Sequence, residues 1–247
     1  MASRLDSTRV HGSTAQYWHP VIPALSFVVL VALLNGALNG IFAGIRSAVP
    51  SSLQFEYAVT VPLTPLGAGV LFVGAGILTV CSLALFVRSI AGDSGFQLSP
   101  VSSNETLRRF SRATGVVIAG MLAMALGLAL FVIPGLVVLV YLPFVFVAVV
   151  LDGQTVAGAV KASHTRIVAR PVAVAVTALA TALGLLGIGL IGVLSSVLPP
   201  TAEFVAGGAS SALVVLIGTY LLTMLYQRLS PQTSSINARL SATEDLL

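Results

Sequence analysis

The sequence predicts an all-α polytopic membrane protein with six transmembrane helices, both termini in the cytoplasm and a short amphipathic helix on the cytoplasmic side. Of the 247 residues, 57% are hydrophobic and only 8% are charged, whereas about 25% are charged in an ordinary soluble domain. The mean hydropathy of +1.03 reflects several apolar runs longer than the roughly 18 residues that a bilayer crossing needs. The polar side chains are too few to cover a water-soluble globule, so the composition excludes a soluble fold.

The chain divides into a cytoplasmic N-terminal segment (1–20), a six-helix transmembrane domain (21–227) and a cytoplasmic C-terminal tail (228–247). Windows without Asp, Glu, Lys, Arg or His predict the six spans at about 21–45, 66–87, 114–131, 134–151, 172–198 and 204–226. The first window lacks the small-residue cleavage pattern of a signal peptide, so we expect a retained helix.

The third and fourth spans form a hairpin. Residues 113–151 carry no charge, and one helix of that length would reach about 58 Å, nearly twice the thickness of the hydrocarbon core. Pro134 disfavours helical geometry in the residue before it and suits the first turn of a new helix. We therefore expect the chain to reverse at Ile133-Pro134-Gly135.

Two inner connections are predicted to be partly helical, and the first outer connection is not. Ser102 and Glu105 have the spacing of a capping box, which predicts a helix start ahead of span three. Residues 152–170 place apolar side chains on one helical face, which predicts an amphipathic helix lying on the membrane surface. The outer segment 46–65 contains three prolines and is predicted to lie along the outer surface.

The basic residues set the orientation. With a cytoplasmic N-terminus, eleven of the twelve Lys and Arg residues fall in inner segments and only Arg46 falls outside. This positive-inside pattern favours an even number of spans and a multi-pass protein of the cell (cytoplasmic) membrane. The single cysteine, Cys81, excludes a disulfide within the chain.

Residues 131–171 carry a likeness to a known family. An Ile133-Pro134-Gly135 turn opens a helix that ends at Asp152-Gly153, and an Ala159-Val160-Lys161-Ala162-Ser163 segment follows. This arrangement resembles the membrane domain of the glycerophosphoryl diester phosphodiesterase family and related uncharacterised six-helix membrane proteins. The resemblance implies a six-helix membrane domain. It carries over no phosphodiesterase activity, because this chain has no soluble catalytic domain.

Small residues recur at helical spacing in spans one and three and at the hairpin. Such ridges let helix backbones approach closely in lipid. They serve either packing within the chain or a homo-oligomer or partner interface. The helix-packing candidates are Gly36, Gly40, Gly44, Gly115, Gly127, Pro134 and Gly135.

Several polar side chains fall inside the predicted spans at similar depth. An amide without a partner in hydrocarbon costs several kcal/mol, so each needs a hydrogen bond. They either lock the helices together or line a polar cavity open to the outer leaflet. The candidate layer comprises Asn35, Asn39, Tyr141, Ser210 and Ser211.

Basic side chains gather in the inner connections, at the level of anionic lipid headgroups. They act as topology anchors or contact headgroups or a partner. The candidate headgroup-contacting cluster comprises Arg108, Arg109, Arg112, Lys161, Arg166 and Arg170. Scattered basic residues in so hydrophobic a chain do not predict nucleic-acid binding.

The sequence predicts no catalytic, cofactor-binding or metal-binding residues and no cofactor. It contains no paired-histidine helix, nucleophile elbow or phosphate-binding loop. We therefore expect a non-catalytic integral membrane protein that acts through helix packing and contacts with membrane lipids or a partner. The alternatives are a membrane component of a transporter for a neutral solute or lipid, and a lipid-modifying membrane enzyme.

Overall fold

The computed structural model describes residues 20–46, 59, 62–92, 103–130, 132–169 and 171–229. These residues form seven α-helices, and no β-strand occurs among them. The helices are α1 (Val21–Ile45), α2 (Pro65–Ile90), α3 (Ser103–Leu130), α4 (Val132–Asp152), α5 (Val156–Ala169), α6 (Pro171–Ser195) and α7 (Pro200–Leu229). The predicted all-helical fold is confirmed.

Five helices, α1, α2, α3, α6 and α7, are each long and apolar enough to cross a membrane. Helix α4 passes the same test together with α5, to which it is joined at a sharp bend. Counting that pair as one span gives six. The protein is therefore a multi-pass membrane protein with five or six spans. The end of the bundle that holds Asp152 is called the inner end, after the orientation that the sequence predicts.

The helix starts follow local sequence signals. Thr64 caps α2, since its hydroxyl accepts a hydrogen bond from the Gly67 N–H at 3.2 Å, and Pro65 follows at the first helical position. Thr155 caps α5 through the Gly158 N–H at 3.3 Å. Helix α3 begins at Ser103, and the Ser102 half of the predicted capping box lies outside the described residues.

The hairpin between α3 and α4 lies where the sequence predicts it, with Pro134 in the first turn of α4. Its two helices approach closely near the turn, because a Cβ atom on Gly127 would lie 2.7 Å from the backbone N of Gly135. At this crossing only glycine fits without displacing backbone.

The inner half of α4 is the centre of the bundle. Every residue from Phe144 to Val150 is at most 5% exposed, so this stretch is enclosed on all sides rather than along one stripe. Helices α2, α3, α5 and α7 surround it and contribute Val87, Val116, Ala159 and Leu222 to the same core. The inner ends of five helices are thereby held together.

Helix α6 lies at the periphery, where it packs mainly on α7. Large side chains along it, such as Val176, Leu183 and Val193, are about 60 to 70% exposed. In a bilayer such faces contact lipid, which is as apolar as they are.

Candidate functional site

Polar side chains from four helices meet at the turn between α4 and α5, at the inner end of the bundle. Helix α4 ends at Asp152, and Gly153 then adopts a φ of +64°. This left-handed conformation favours glycine and reverses the chain after a helix. The guanidinium of Arg109 lies over the turn, because a Cβ on Gly153 would be 3.2 Å from the Arg109 Nε.

The Asp152 carboxylate joins α4, α5 and α7. Its Oδ2 atom accepts hydrogen bonds from the Tyr226 hydroxyl at 2.6 Å, from Gln154 Nε2 at 3.2 Å and from Arg166 Nη2 at 3.3 Å. The Arg166 guanidinium also stacks on the Tyr226 ring, 4.1 Å from its centroid. Tyr226 is 1% exposed, so this network is anchored in the core.

Helix α3 adds two arginines at the turn, and α2 adds a fourth arginine beside them. Arg112 Nη1 donates to the Gly153 carbonyl oxygen at 3.1 Å. Arg88 and Arg109 line a cavity of about 10 Å³ beside Val150, which is space for one water molecule. Both make additional contacts within the protein. We call Arg88, Arg109, Arg112 and Arg166 the arginine cluster.

The arginine cluster overlaps the basic set that the sequence predicts. Arg109, Arg112 and Arg166 of that set come together at the turn, whereas Arg108 and Lys161 are exposed beside it. The sixth member, Arg170, lies outside the described residues.

Sequence reasoning missed four residues of this site: Arg88, Asp152, Gln154 and Tyr226. Arg88 was counted only among the eleven inner basic residues, and Tyr226 is the last residue of the sixth predicted span. Asp152 was named only as the acidic residue at the end of a long charge-free run. That position could have identified it as a site residue, because a lone carboxylate at the end of an apolar helix needs a cationic partner nearby.

The predicted intramembrane layer is not joined by hydrogen bonds in the described part of the chain. Asn39 Nδ2 donates to the Val59 carbonyl oxygen at 3.0 Å, and Ser210 donates to the Gly207 carbonyl of its own helix at 3.0 Å. Asn35 and Ser211 are half-buried. The fifth member, Tyr141, pairs with a histidine from α5.

The Asn39 contact places one residue of the first outer segment, Val59, against α1; residues 47–58 and 60–61 lie outside the described residues, so the predicted course of the segment stays a prediction. Asn39 precedes the end of α1 by six residues, which corresponds to about 9 Å along the helix axis. The Val59 carbonyl oxygen lies at the level of Asn39 along α1. Pro65, at the start of α2, instead packs against Gly44 near the end of α1. The Val59 carbonyl oxygen therefore lies below the outer ends of both helices, where it accepts the hydrogen bond that the Asn39 amide needs.

Helix α5 confirms the predicted short helix after span four, and it turns back from α4. The two helices bend by 118°, which is 28° beyond a right angle, so α5 returns about 10 Å along α4 over its length. Its buried residues are Ala159, Ser163 and Ile167. Val156 and Val160, two of the apolar side chains of this helix, are more than 40% exposed.

This fold-back brings a histidine to the middle of α4. The Tyr141 hydroxyl and His164 Nδ1 are 3.1 Å apart, and their rings are stacked with centroids 6.2 Å apart. Tyr141 precedes Asp152 by eleven residues, or about 16 Å along the helix. The charge-free windows contain no histidine, but the fold places the exposed His164 beside span four.

The predicted packing glycines fall into two groups. Gly36 and Gly40 are buried, Gly127 packs against Gly135 in the hairpin beside Pro134, and a Cβ on Gly44 would overlap the Pro65 ring. Gly115 differs, because a Cβ added there would meet no atom within 4 Å.

The fold and the site define a multi-pass membrane protein with an arginine-rich polar network at one end of its helical bundle. No family model, curated protein or solved structure matches the chain. Within the described ranges, no three His, Cys, Asp or Glu side chains gather as metal ligands do.

Proposed function

We propose that this protein is a non-catalytic, multi-pass protein of the cell membrane whose arginine cluster contacts anionic lipid headgroups at the inner surface. The observation that carries the proposal is the convergence of three arginines, from α3 and α5, on the Asp152–Gly153 turn, with Arg88 of α2 beside Arg109.

The chemistry of guanidinium groups supports a phosphate partner. Arginine presents planar pairs of N–H donors that match phosphate oxygens, and it is the usual residue for phosphate recognition. Basic pockets between helices on the cytoplasmic side are typical headgroup sites, and each basic residue near the surface contributes about 1 kcal/mol of attraction to anionic lipid.

The surroundings of the arginines favour a site over simple topology anchoring. An anchoring residue needs only to reach the aqueous interface. Arg109, Arg112 and Arg166 are instead partly buried, and Arg112 and Arg166 are fixed by hydrogen bonds to the turn. A pre-arranged set loses less side-chain entropy when it binds.

The cytoplasmic orientation belongs to the proposal and rests on the eleven-to-one distribution of basic residues. Membership of the glycerophosphoryl diester phosphodiesterase membrane-domain family is proposed on the likeness of residues 131–171 alone. Separate hydrogen-bond partners for Asn39, Tyr141 and Ser210 support a contact role over a path for a solute.

Native mass spectrometry of the detergent-purified protein tests the proposal. We expect bound anionic phospholipid to fall severalfold in Arg112→Gln and Arg166→Gln. The matched control is Arg108→Gln, which removes an exposed arginine from the helix that carries Arg112.

Equal lipid retention by the wild type, Arg112→Gln and Arg166→Gln would overturn the proposal. A fall of the same size in Arg108→Gln would also overturn it, because binding would then follow overall charge and not the assembled cluster.

A further inference from the structure

The exposed face of α5 carries two basic side chains next to each other. Lys161 and His164 are both exposed, while Ala159, Ser163 and Ile167 on another face of the helix are buried. Residues three apart on a helix are neighbours, with their Cβ atoms about 5 to 6 Å apart. The flexible stem of Lys161 can therefore bring its ammonium group beside the His164 ring.

The His164 ring is held in place by α4. Its Nδ1 atom lies 3.1 Å from the Tyr141 hydroxyl, and the two rings are stacked. When that hydroxyl donates to Nδ1, the neutral ring carries its proton on Nε2, because the hydrogen bond at one ring nitrogen decides which nitrogen is protonated. Nε2 then presents an N–H donor on the side of the ring away from Tyr141.

The bend between α4 and α5 places this pair at the level of the inner lipid headgroups. Helix α5 returns about 10 Å along α4 over its fourteen residues. Lys161 and His164 are its sixth and ninth residues, so their backbones lie about 4 and 6 Å further into the membrane than the start of α5. That depth is comparable with the thickness of one interfacial layer of a bilayer.

The described residues supply this pair with no ion-pair partner. Neither Lys161 nor His164 forms an ion pair with a described residue, and α6, which follows α5, carries no charged side chain. The Asp152 carboxylate already accepts hydrogen bonds from Tyr226 and Arg166. A cationic side chain at membrane depth needs a polar or anionic partner, and the headgroup layer offers phosphate.

We infer that Lys161 and His164 bind the phosphate group of an anionic lipid in the inner leaflet, with Tyr141 as a positioning residue. The Lys161 ammonium pairs with one phosphate oxygen, and His164 Nε2 donates to another. A protonated ring adds a positive charge beside the phosphate, so binding tightens as the pH falls. This site uses different side chains from the arginine cluster and goes beyond the proposed function, because it adds a contact whose strength depends on pH.

His164 is the group expected to respond to pH in this site, because histidine changes charge between pH 5 and 8. Helix α6 contributes no charged or titratable side chain. The groups on the other helices packed against α5 are Tyr141 and Asp152 of α4, Lys161 and Arg166 of α5 itself, and Tyr226 of α7. None of them is a histidine.

Titration of the full chain with phosphatidylglycerol, followed by native mass spectrometry at pH 7.5 and 5.5, tests the inference. The charge of this phosphodiester lipid is constant over that range. We expect the apparent Kd to be about fivefold lower at pH 5.5, which is the roughly 1 kcal/mol that one basic residue contributes near anionic lipid. Phosphatidylcholine, which has no net charge, should show no such change.

His164→Gln should abolish the pH dependence and keep the binding that the arginine cluster supplies. Its matched control is His19→Gln, which removes a histidine outside the described residues and should keep the pH dependence. Lys161→Gln should weaken binding about fivefold at both pH values, whereas Arg108→Gln, which removes an exposed arginine of α3, should not.

Tyr141→Phe separates positioning of the ring from simple support of the fold. Only the neutral ring depends on Tyr141 to keep its proton on Nε2, since the protonated ring carries a proton on both nitrogens. We therefore expect weaker binding at pH 7.5 and wild-type binding at pH 5.5. An equal loss at both pH values would overturn the role assigned to Tyr141.

The outcomes separate this site from the proposed function. Equal binding at both pH values in the wild type, or a pH dependence that survives in His164→Gln, overturns the inference and leaves the arginine cluster standing. Dimethyl phosphate, a soluble phosphodiester, distinguishes the source of the phosphate. We expect it not to compete, and displacement of the pH-dependent phosphatidylglycerol by it would overturn the assignment to a lipid.

Discussion

Replacing Asp152 by Asn should destabilise the protein, because the carboxylate ties three helices together. Its Oδ2 accepts from Tyr226, Gln154 and Arg166 at 2.6, 3.2 and 3.3 Å. The amide keeps the shape and one acceptor for the Tyr226 hydroxyl, but it removes the charge that pairs with Arg166.

The size of the effect follows from burial. Removing one partner of a fully buried ion pair costs about 3 to 5 kcal/mol. Asp152 is 32% exposed and Arg166 is 15% exposed, so solvent compensates part of that loss and we expect about 2 kcal/mol. For a chain of this length, that corresponds to a fall of roughly 4 to 8 °C in the unfolding midpoint.

Thermal unfolding in detergent, monitored by size-exclusion chromatography, measures the shift of the unfolding midpoint. Glu203→Gln is the control, since this exposed carboxylate lies in the first turn of α7, where its loss costs about 0.3 to 1 kcal/mol. A midpoint for Asp152→Asn within the error of the wild type would refute the reasoning.

Three further substitutions and one matched control have expected outcomes. Gly153→Ala should cost about 1 to 2 kcal/mol in thermal unfolding, because its φ of +64° is unfavourable for alanine; an unchanged midpoint would show that the turn relaxes. Gly127→Ala should destabilise by about 1 to 3 kcal/mol, because its Cβ would meet α4 backbone at 2.7 Å. Gly115→Ala is the matched control, because a Cβ at this position faces open space, and it should raise the free energy of unfolding by about 0.5 to 1 kcal/mol. Equal shifts of the unfolding midpoint in Gly127→Ala and Gly115→Ala would contradict the hairpin packing. Tyr141→Phe should lower the free energy of unfolding by about 1 kcal/mol, because it breaks the 3.1 Å contact to His164. Amide hydrogen exchange should then become faster in α5 but not in α1. A change of the same size in both helices would count against the contact.

The helices were predictable because hydrocarbon imposes a strong constraint on sequence. A window without charge must be helical and about 20 residues long if it crosses the bilayer, and α1 begins and ends where its window does. The hairpin was predictable from Pro134 and from the length limit. These signals are local, so they need no knowledge of how helices pack.

The site was only partly predictable, because it depends on helix rotation and on one turn. Matching depth placed Asn39 and Tyr141 in one layer, but Asn39 bonds Val59 and Tyr141 bonds His164. The left-handed Gly153 sends α5 back along α4, and no periodicity in the sequence encodes that direction. Tyr226 follows Asp152 by 74 residues, so their contact is a product of tertiary packing.

Cysteine accessibility in intact cells tests most directly the claim that this protein works at its inner surface and not through a path across the membrane. In a background with Cys81 replaced by Ser, single cysteines are placed at Asn35, Asn39, Tyr141 and Ser211, with Ser52 and Ser94 as topology controls. An impermeant thiol reagent should label position 52 and leave position 94 and the four intramembrane positions unlabelled. Labelling of the intramembrane positions from outside would reveal a water-filled path and contradict the account, and labelling of 94 but not 52 would reverse the orientation on which it rests.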